Sequence, residues 1–207
     1  MKTIYLYLLE GMAEWEIGYI LQAISMESQL KKGEKEFEIK TVSYNNEPIH
    51  TLGGLTIIPD CTLEEMNESQ MAALLLPGAN TWNSSKNIKI LQKVIKYLEK
   101  GIIVGAICGA TLALADIEIL NKYKHTSNSL DYLKFFSKQY KGAPLYCQCN
   151  SCIDKNLITA NSASGLLWAK NILLSLQVYS SKTLESWYNY YLTGNPQFYD
   201  ELLSQED

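Results

Sequence analysis

A strand-length apolar run leads directly into a small-residue, helix-forming run, and a single cysteine lies at the junction. The segment is IIVGAICGATLALA, residues 102–115, with Cys108 between the two halves. Gly105 and Gly109 permit the tight backbone that a strand-to-helix turn needs. The segment therefore predicts an α/β unit that carries Cys108 on its turn. It is also compatible with an inert cysteine, because free cysteine is among the most buried residue types.

Strand and helix patterns alternate along the rest of the chain. Patterns typical of strands occur at 3–9, 36–43, 56–60, 72–76 and 102–107, with a hairpin of arms 144–153 and 157–160. Helical patterns occur at 17–24, 87–100, 109–115, 164–176 and 184–192. In the 87–100 helix, Ile88, Leu91, Ile95 and Leu98 are expected on the buried face. This alternation predicts an open, mostly parallel α/β sheet, flavodoxin-like or Rossmann-like.

Length and composition narrow the class of protein. The 207 residues suit a single domain, and the net charge of −4 without a basic run argues against a nucleic-acid partner. No apolar run approaches the roughly 20 residues that span a membrane. Five cysteines without a framework-like spacing are typical of reduced thiols, so a cytoplasmic protein is expected.

Three turns should meet at the carboxyl edge of such a sheet, where α/β proteins bind ligands. They are residues 10–16, residues 77–80 and the turn at Cys108. A thiol in the first turn of a helix lies near unpaired N–H groups and the positive end of the helix dipole, and both favour the thiolate. We therefore expect a lowered pKa for Cys108 if it lies at a site.

The turns also resemble those of a known family. The matching segments are Gly11–Glu16, Gly53–Gly54, Pro59–Asp60, Leu76–Asn80, Ala106–Ala110 and Leu157–Ala160. In this order they resemble the ThiJ/PfpI family of the class I glutamine amidotransferase-like superfamily. The resemblance implies a flavodoxin-like three-layer sandwich with helices on both faces and a nucleophile elbow. It also implies a homodimer or larger homo-oligomer and no cofactor. The match spans about 3–177, which leaves 178–207 as a helical extension of a single domain covering 1–207.

The resemblance implies roles for individual residues. Cys108 matches the nucleophile and Glu16 the acid that contacts its sulfur, a pairing expected to need a protonated Glu16 that donates to the thiolate. The backbone N–H groups of Gly78, Ala79 and Gly109 match an oxyanion-type pocket. Without the resemblance, Glu16 reads as a solvated acid in the first turn of a helix.

The position of the usual base is where the chain departs from the family pattern. Asn128 falls where many members have a histidine, and an amide accepts no proton at neutral pH. His125 lies three residues earlier and would face away from the cysteine on an extended segment. The His-x-Glu pair of true glutaminases is missing from the sequence, so a glutamine amidotransferase is not expected.

A second group of cysteines, Cys147, Cys149 and Cys152, invites a metal interpretation. Structural zinc normally takes four ligands, and no fourth ligand stands nearby in the sequence, so buried hairpin thiols are expected and no metal site is predicted. Oxidation within the group is expected only if it is exposed.

These observations lead to one leading hypothesis and two alternatives. The first is a cysteine-dependent hydrolase or transferase that acts on a small carbonyl, amide or peptide substrate through Cys108 and Glu16. The second is a non-catalytic redox or stress sensor that uses the activated thiol. The third is a small-molecule binding domain that has lost the chemistry.

Overall fold

The computed structural model describes residues 1–204, and its centre is a seven-stranded, mostly parallel sheet. Residues 1–204 contain nine strands: β1 (Lys2–Tyr7), β2 (Phe37–Ser43), β3 (Ile49–His50), β4 (Thr56–Ile57), β5 (Cys61–Thr62), β6 (Met71–Leu76), β7 (Ile103–Ile107), β8 (Ser151–Asp154) and β9 (Leu157–Ala160). All of them except β3 and β4 belong to the central sheet. Their order in the sheet is β5-β2-β1-β6-β7-β9-β8, and the β8–β9 pair alone is antiparallel.

Residues 1–204 contain eight α-helices. They are α1 (Gly18–Ser25), α2 (Glu27–Leu30), α3 (Ile88–Glu99), α4 (Gly109–Asp116), α5 (Leu130–Phe136), α6 (Gly165–Leu176), α7 (Ser181–Thr193) and α8 (Pro196–Leu203). α6 packs on β7 and β9 and against α1 and α7, while α3 and α4 pack on β7 as a separate group. The flavodoxin-like α/β fold that the sequence predicted is therefore confirmed.

The central strands are buried on both faces, as expected for a parallel sheet covered by helices. The Ile4–Tyr7 part of β1, Ala73–Leu76 of β6 and Val104–Ile107 of β7 are all buried. These runs read as continuous apolar segments in the sequence for that reason. They also bring the carboxyl ends of the strands together at one edge, where the loops after β1, β6 and β7 meet.

One face of α3 was wrongly predicted. Leu91 and Leu98 are buried as expected, but Ile88 and Ile95 are 53% and 38% exposed. The buried stripe passes instead through residues such as Val94, which is fully buried. The periodicity allowed two neighbouring stripes, and contact with the sheet selects the one centred nearer Val94.

The structure also differs from the sequence analysis in three local features. The first arm of the hairpin is only Ser151–Asp154, since Pro144 lies in a short 3-10 turn. β4 pairs with β3 in a separate two-stranded sheet rather than joining the main one. α5 was not predicted, because its seven residues carry too short a pattern to show a helical period.

The C-terminal extension is helical and packs against α1. Trp187 on α7 is fully buried, and its indole N–H donates to Gln22 Oε1 over 2.9 Å. The Tyr179 hydroxyl, just before α7, donates to the Ala23 carbonyl. The last part of the predicted extension, residues 205–207, lies outside the described residues. Among the eight helices described, none is long and apolar enough to cross a membrane.

Gly105 on β7 provides a test of this packing. A Cβ added there would lie 2.9 Å from Trp168 Cζ2, 3.1 Å from Ile172 Cδ1 and 3.2 Å from Leu75 Cδ2. We expect Gly105→Ala to lower the free energy of unfolding by about 1–3 kcal/mol, the usual cost of overpacking. Urea denaturation followed by circular dichroism measures the change.

The matched control is Gly33→Ala, where an added Cβ would meet no atom within 4 Å. Its free energy of unfolding should stay within about 0.5 kcal/mol of the original value. Equal stability of both variants would contradict the close approach of α6 to β7.

Candidate active site

Cys108 occupies the turn between β7 and α4 in an unfavourable backbone conformation. Its φ of 57° and ψ of −123° lie outside the regions that residues with a side chain prefer, at a cost on the order of 1–3 kcal/mol. The Cys108 N–H donates to the Ala160 carbonyl (3.0 Å), and the Cys108 carbonyl accepts from the Thr111 N–H (3.1 Å) and hydroxyl (2.6 Å). The predicted strand-to-helix elbow is present, and β9 and α4 hold its strained backbone in place.

Two glycines let the neighbouring loops approach the elbow. A Cβ on Gly109 would lie 2.4 Å from the Ala79 carbonyl oxygen. A Cβ on Gly78 would lie 2.7 Å from both Cys108 Cβ and Glu16 Oε2. The loop after β6 and the elbow are therefore in backbone contact, and no larger residue fits at either glycine without displacing the site.

Glu16 lies beside the thiol and is almost completely buried, with 1% of its surface exposed. Its Oε2 accepts from the Gly78 N–H over 2.7 Å. The thiol lies close to the same oxygen, because a Cβ on Gly78 would be 2.7 Å from Glu16 Oε2 and 2.9 Å from Cys108 Sγ. Its Oε1 is buried and has no hydrogen-bond partner among residues 1–204. Burial raises the pKa of Glu16, and the hydrogen bonds from Gly78 and Cys108 offset only part of that rise.

The pKa of Cys108 is raised to about 11, contrary to the lowered value that the sequence predicted. Burial is the largest cause, and the negative charge of Glu16 adds to it. The Asn128 amide and the Gly109 N–H act in the opposite direction. The prediction rested on the helix N-terminus and did not include the desolvation of the sulfur or the ionised acid beside it. The resting thiol is protonated at neutral pH.

Asn128 contacts the sulfur from the other side. Its Nδ2 donates to Cys108 Sγ over 3.5 Å, and its Oδ1 accepts from the Ser162 N–H over 2.9 Å. The second bond fixes the amide so that its NH2 group faces the cysteine. Asn128 is therefore placed to support negative charge on the sulfur and takes no part in proton transfer. The sequence did not identify Ser162, since its contribution is a backbone N–H that no side chain reveals.

His125 is not brought to the thiol. It is fully buried, its Nε2 is 2.8 Å from the Tyr140 hydroxyl, and its Nδ1 is 2.7 Å from the Tyr123 carbonyl. Burial lowers its pKa, so it is neutral at physiological pH. The hydrogen bonds of the Cys108 thiol in the described part of the chain include no imidazole.

The three backbone N–H groups expected to form an oxyanion pocket have different partners in the structure. The Gly78 N–H is occupied by Glu16, so it positions the acid instead of facing a substrate. The Gly109 N–H is directed at the Cys108 sulfur. The Ala79 N–H makes no hydrogen bond within residues 1–204. The backbones of Gly109 and Ala79 lie close together, since a Cβ on Gly109 would be 3.0 Å from the Ala79 nitrogen.

A cavity of about 420 Å³ opens beside Glu16. Its lining includes two aromatic side chains from the first loop and α1, the loop around Ser162, and the end of α7: Trp15, Tyr19, Ser162, Ala163, Gly165, Leu166, Tyr191 and Leu192. The volume is in the range of sites for small ligands. Nowhere in residues 1–204 do three His, Cys, Asp or Glu side chains form a group that could hold a metal ion.

Comparison with known proteins agrees with this geometry. The sequence model of the DJ-1/PfpI family matches residues 2–175. The chain belongs to the DJ-1/PfpI family. The resemblance drawn from the individual turns is thereby confirmed.

Two DJ-1/PfpI relatives share most of their length with this chain. The "uncharacterized protease YoaZ" of Bacillus subtilis is 38% identical over 203 residues, which cover 98% of this chain and 97% of YoaZ. A crystal structure of a thiJ/pfpI family protein from Bacillus anthracis superposes with a TM-score of 0.93 at 38% identity, covering 98% and 97% of the two chains.

A more distant DJ-1 superfamily protein, Atu0886 from Agrobacterium tumefaciens, has the same fold. Its TM-score is 0.78 at 23% identity, with 94% of this chain and all of that chain covered. At this identity the likeness concerns the fold alone.

The charge on Glu16 is testable through the cysteine. We expect Glu16→Gln to lower the pKa of Cys108 from about 11, because the substitution removes the neighbouring negative charge. The pH dependence of alkylation by iodoacetamide, quantified on the Cys108 peptide by mass spectrometry, measures the pKa. The midpoint should move to lower pH.

The control is Glu14→Gln, which removes a surface carboxylate two residues away that accepts from the Gly53 N–H. It should leave the Cys108 midpoint unchanged. A midpoint that stays or rises in Glu16→Gln would instead indicate a protonated Glu16 that donates to the thiolate.

Proposed function

We propose that this chain is a cysteine-dependent enzyme that acts on small carbonyl compounds through Cys108. The observation that carries the proposal is the position of the Cys108 thiol beside the buried Glu16 carboxyl group at a strained elbow. A buried acid with a raised pKa next to a thiol is an arrangement suited to proton transfer.

The proposed chemical step is addition of the thiol across a carbonyl group. As Cys108 Sγ bonds to the carbonyl carbon, Glu16 accepts the thiol proton and the carbonyl π electrons move to oxygen. Glu16 then returns the same proton to that oxygen, which gives a neutral hemithioacetal. In a 2-oxoaldehyde the hydrogen on the former aldehyde carbon then moves to the neighbouring carbon, which converts the hemithioacetal into a thioester. Water hydrolyses the thioester, releases a 2-hydroxy acid and returns Cys108 to the thiol. With Glu16 as the base, the reaction can proceed despite the high pKa of the thiol, because the proton leaves as the C–S bond forms and no free thiolate has to accumulate first.

The negative oxygen formed in this step needs donors. We assign this role to the N–H groups of Gly109 and Ala79, whose backbones approach each other at the elbow and are fixed before substrate binds. Asn128 supports the sulfur while its proton is on Glu16. Gly78 acts as a positioning residue, because its N–H holds the carboxyl group of Glu16.

A carbonyl substrate fits this site better than an amide or a peptide. Cleavage of an amide requires protonation of a departing amine in addition to activation of the nucleophile, and a histidine commonly performs both roles. Among the described side chains, Glu16 is the one proton carrier in contact with the thiol. Because the relative YoaZ is named a protease, the experiment below also includes peptide substrates.

A redox-sensing role for Cys108 is the second candidate. The position of Asn128 at the sulfur favours it, because a thiol without an imidazole partner can still be oxidised. The raised pKa of Cys108 argues against it, since peroxide reacts with the thiolate. We therefore place it after the enzymatic function.

The first test uses Cys108→Ala with a substrate panel of 2-oxoaldehydes, simple amides and a peptide mixture. We expect turnover of the 2-oxoaldehydes to fall by about a thousandfold or more, as when an enzyme loses its nucleophile. Loss of the carbonyl compound is followed by its hydrazone absorbance. Cys61→Ser, a partly buried cysteine on β5, serves as the control and should keep full activity.

Two outcomes would contradict the proposal. Equal turnover in the original protein and Cys108→Ala would remove the cysteine from the reaction. Turnover confined to peptides would replace the carbonyl substrate by a peptide.

The sensor is tested by mild peroxide treatment. Because the pKa of the Cys108 thiol is raised, we expect mass spectrometry to show no faster sulfinic acid formation at Cys108 than at Cys61. Selective oxidation of Cys108 at neutral pH would favour the sensor over the enzyme.

Three further properties stay predictions. They are a single domain over 1–207, a homo-oligomer and a cytoplasmic location.

A further inference from the structure

The amide that contacts the Cys108 sulfur belongs to an exposed residue. Asn128 is open to solvent, yet its Nδ2 lies 3.5 Å from the sulfur and donates to it. The Ser162 N–H fixes the other end of the amide, since it donates to Asn128 Oδ1 over 2.9 Å. A hydrogen bond weakens steeply when its geometry departs from linear. The backbone that carries the amide therefore has to be held in place as well.

The residue before Asn128 is buried and bonded to the elbow. Ser127 Oγ is 2.7 Å from Thr111 Oγ1, and the Thr111 hydroxyl donates to the Cys108 carbonyl over 2.6 Å. A hydroxyl has a single hydrogen to donate. Because Thr111 gives its hydrogen to the carbonyl, Ser127 is the donor to Thr111. The chain of hydroxyls from Ser127 thus ends on the residue whose sulfur the Asn128 amide contacts.

A second hydroxyl holds the same segment to the sheet. The Thr126 N–H donates to Thr159 Oγ1 over 2.9 Å, and both residues are fully buried. Thr159 lies on β9, which pairs with β7 just before the elbow. On the other side of Asn128, the Ser129 hydroxyl accepts from the Tyr132 N–H over 2.9 Å and caps α5. The exposed amide is therefore carried by a backbone that is fixed on both sides.

We propose that Ser127 and Thr159 are positioning residues that hold the Asn128 amide against the Cys108 sulfur. They act through the backbone of residues 126–128. A neutral thiol accepts hydrogen bonds weakly, whereas a thiolate accepts a stronger, charge-assisted one. The Asn128 amide accordingly acts to lower the pKa of Cys108. The two hydroxyls thus increase the amount of reactive thiolate at a given pH.

This inference deepens the proposed function and rests on it only where turnover is measured. In that measurement kcat for 2-oxoaldehydes should fall when either hydroxyl is removed, while KM stays unchanged, because the hydroxyls affect the sulfur and do not contact the substrate. Alkylation of Cys108 by iodoacetamide needs no enzymatic activity. A chain without turnover would therefore still report on the two hydroxyls.

The experiment measures the rate of Cys108 alkylation by iodoacetamide at mildly alkaline pH, quantified on the Cys108 peptide by mass spectrometry. The variants are Ser127→Ala and Thr159→Val, each of which removes one hydroxyl. We expect the rate to fall by about threefold in each, because the hydrogen bond to the thiolate is weakened while the more basic thiolate reacts somewhat faster. Thr159→Ser keeps the hydroxyl and should restore the original rate.

A double-mutant cycle separates positioning from a general loosening of the elbow. Asn128→Ala should slow alkylation by at least the factor seen in Ser127→Ala. Adding Ser127→Ala to Asn128→Ala should change the rate little further, because no amide is left to position. Residues that act through one another show such non-additive effects, whereas independent residues do not.

Ser43→Ala is the matched control. It also removes a buried hydroxyl, which donates to the Leu8 carbonyl over 2.8 Å at the end of β2. The alkylation rate of Cys108 should stay unchanged in this variant. Cys61 serves as the internal reference in every sample, and circular dichroism checks that each variant is folded.

Three results would overturn the proposal. They are alkylation of Cys108 that is unchanged or faster in either Ser127→Ala or Thr159→Val, a loss of rate in Ser127→Ala that is equally large with and without Asn128, and a slow rate that persists in Thr159→Ser. Slower alkylation in a protein that turns over no 2-oxoaldehyde would instead contradict the proposed function and support the positioning role.

Discussion

The hydrogen bond from the Gly78 N–H to Glu16 Oε2 is the contact on which the arrangement of the site depends. It joins the loop after β1 to the loop after β6, and the elbow at Cys108 packs against both. With the acid held in this way, burial raises the pKa of Glu16 and, together with the carboxylate charge, raises the pKa of Cys108. The site therefore keeps a protonated thiol next to a carboxyl group of raised pKa, in a place where neither is well solvated.

The site contains energetically unfavourable features, and the stability of the surrounding fold offsets them. Cys108 has a backbone conformation that most residues avoid, and Glu16 has one buried oxygen without a partner among residues 1–204. Both are unfavourable, and both lie at the carboxyl ends of strands that are buried on each face. Strain at the elbow is balanced by ladder hydrogen bonds of β7 with β6 and β9, so it persists without unfolding the turn.

Local patterns in the sequence were sufficient for the main elements and for the position of the elbow. β1, β6 and β7 are visible as apolar runs because parallel strands are buried on both faces, and the glycines around Cys108 mark the turn. The buried face of α3 was misjudged at Ile88 and Ile95, because two stripes of similar hydrophobicity were available and tertiary contact decides between them.

The sequence allowed the residues of the site to be predicted, but it did not allow the pKa of the thiol to be predicted. Family resemblance pointed to Glu16 and Asn128, and the structure places both against Cys108. The sign of the thiol pKa shift was wrong, since desolvation depends on how much chain covers a sulfur and leaves no local signature. The use of the Gly78 N–H was also hidden, because a backbone donor looks the same in every sequence.

Asn128 has a consequence for how the site responds to its surroundings. An imidazole in that place would change its charge within the physiological pH range, whereas an amide stays neutral throughout. The electric field at the sulfur is thus set by Glu16 and by fixed backbone dipoles, and it stays constant from the point where Glu16 is ionised up to the titration of the thiol at about 11. With an amide in this place, the response of the site to acidification rests on Glu16, whose pKa is raised by burial.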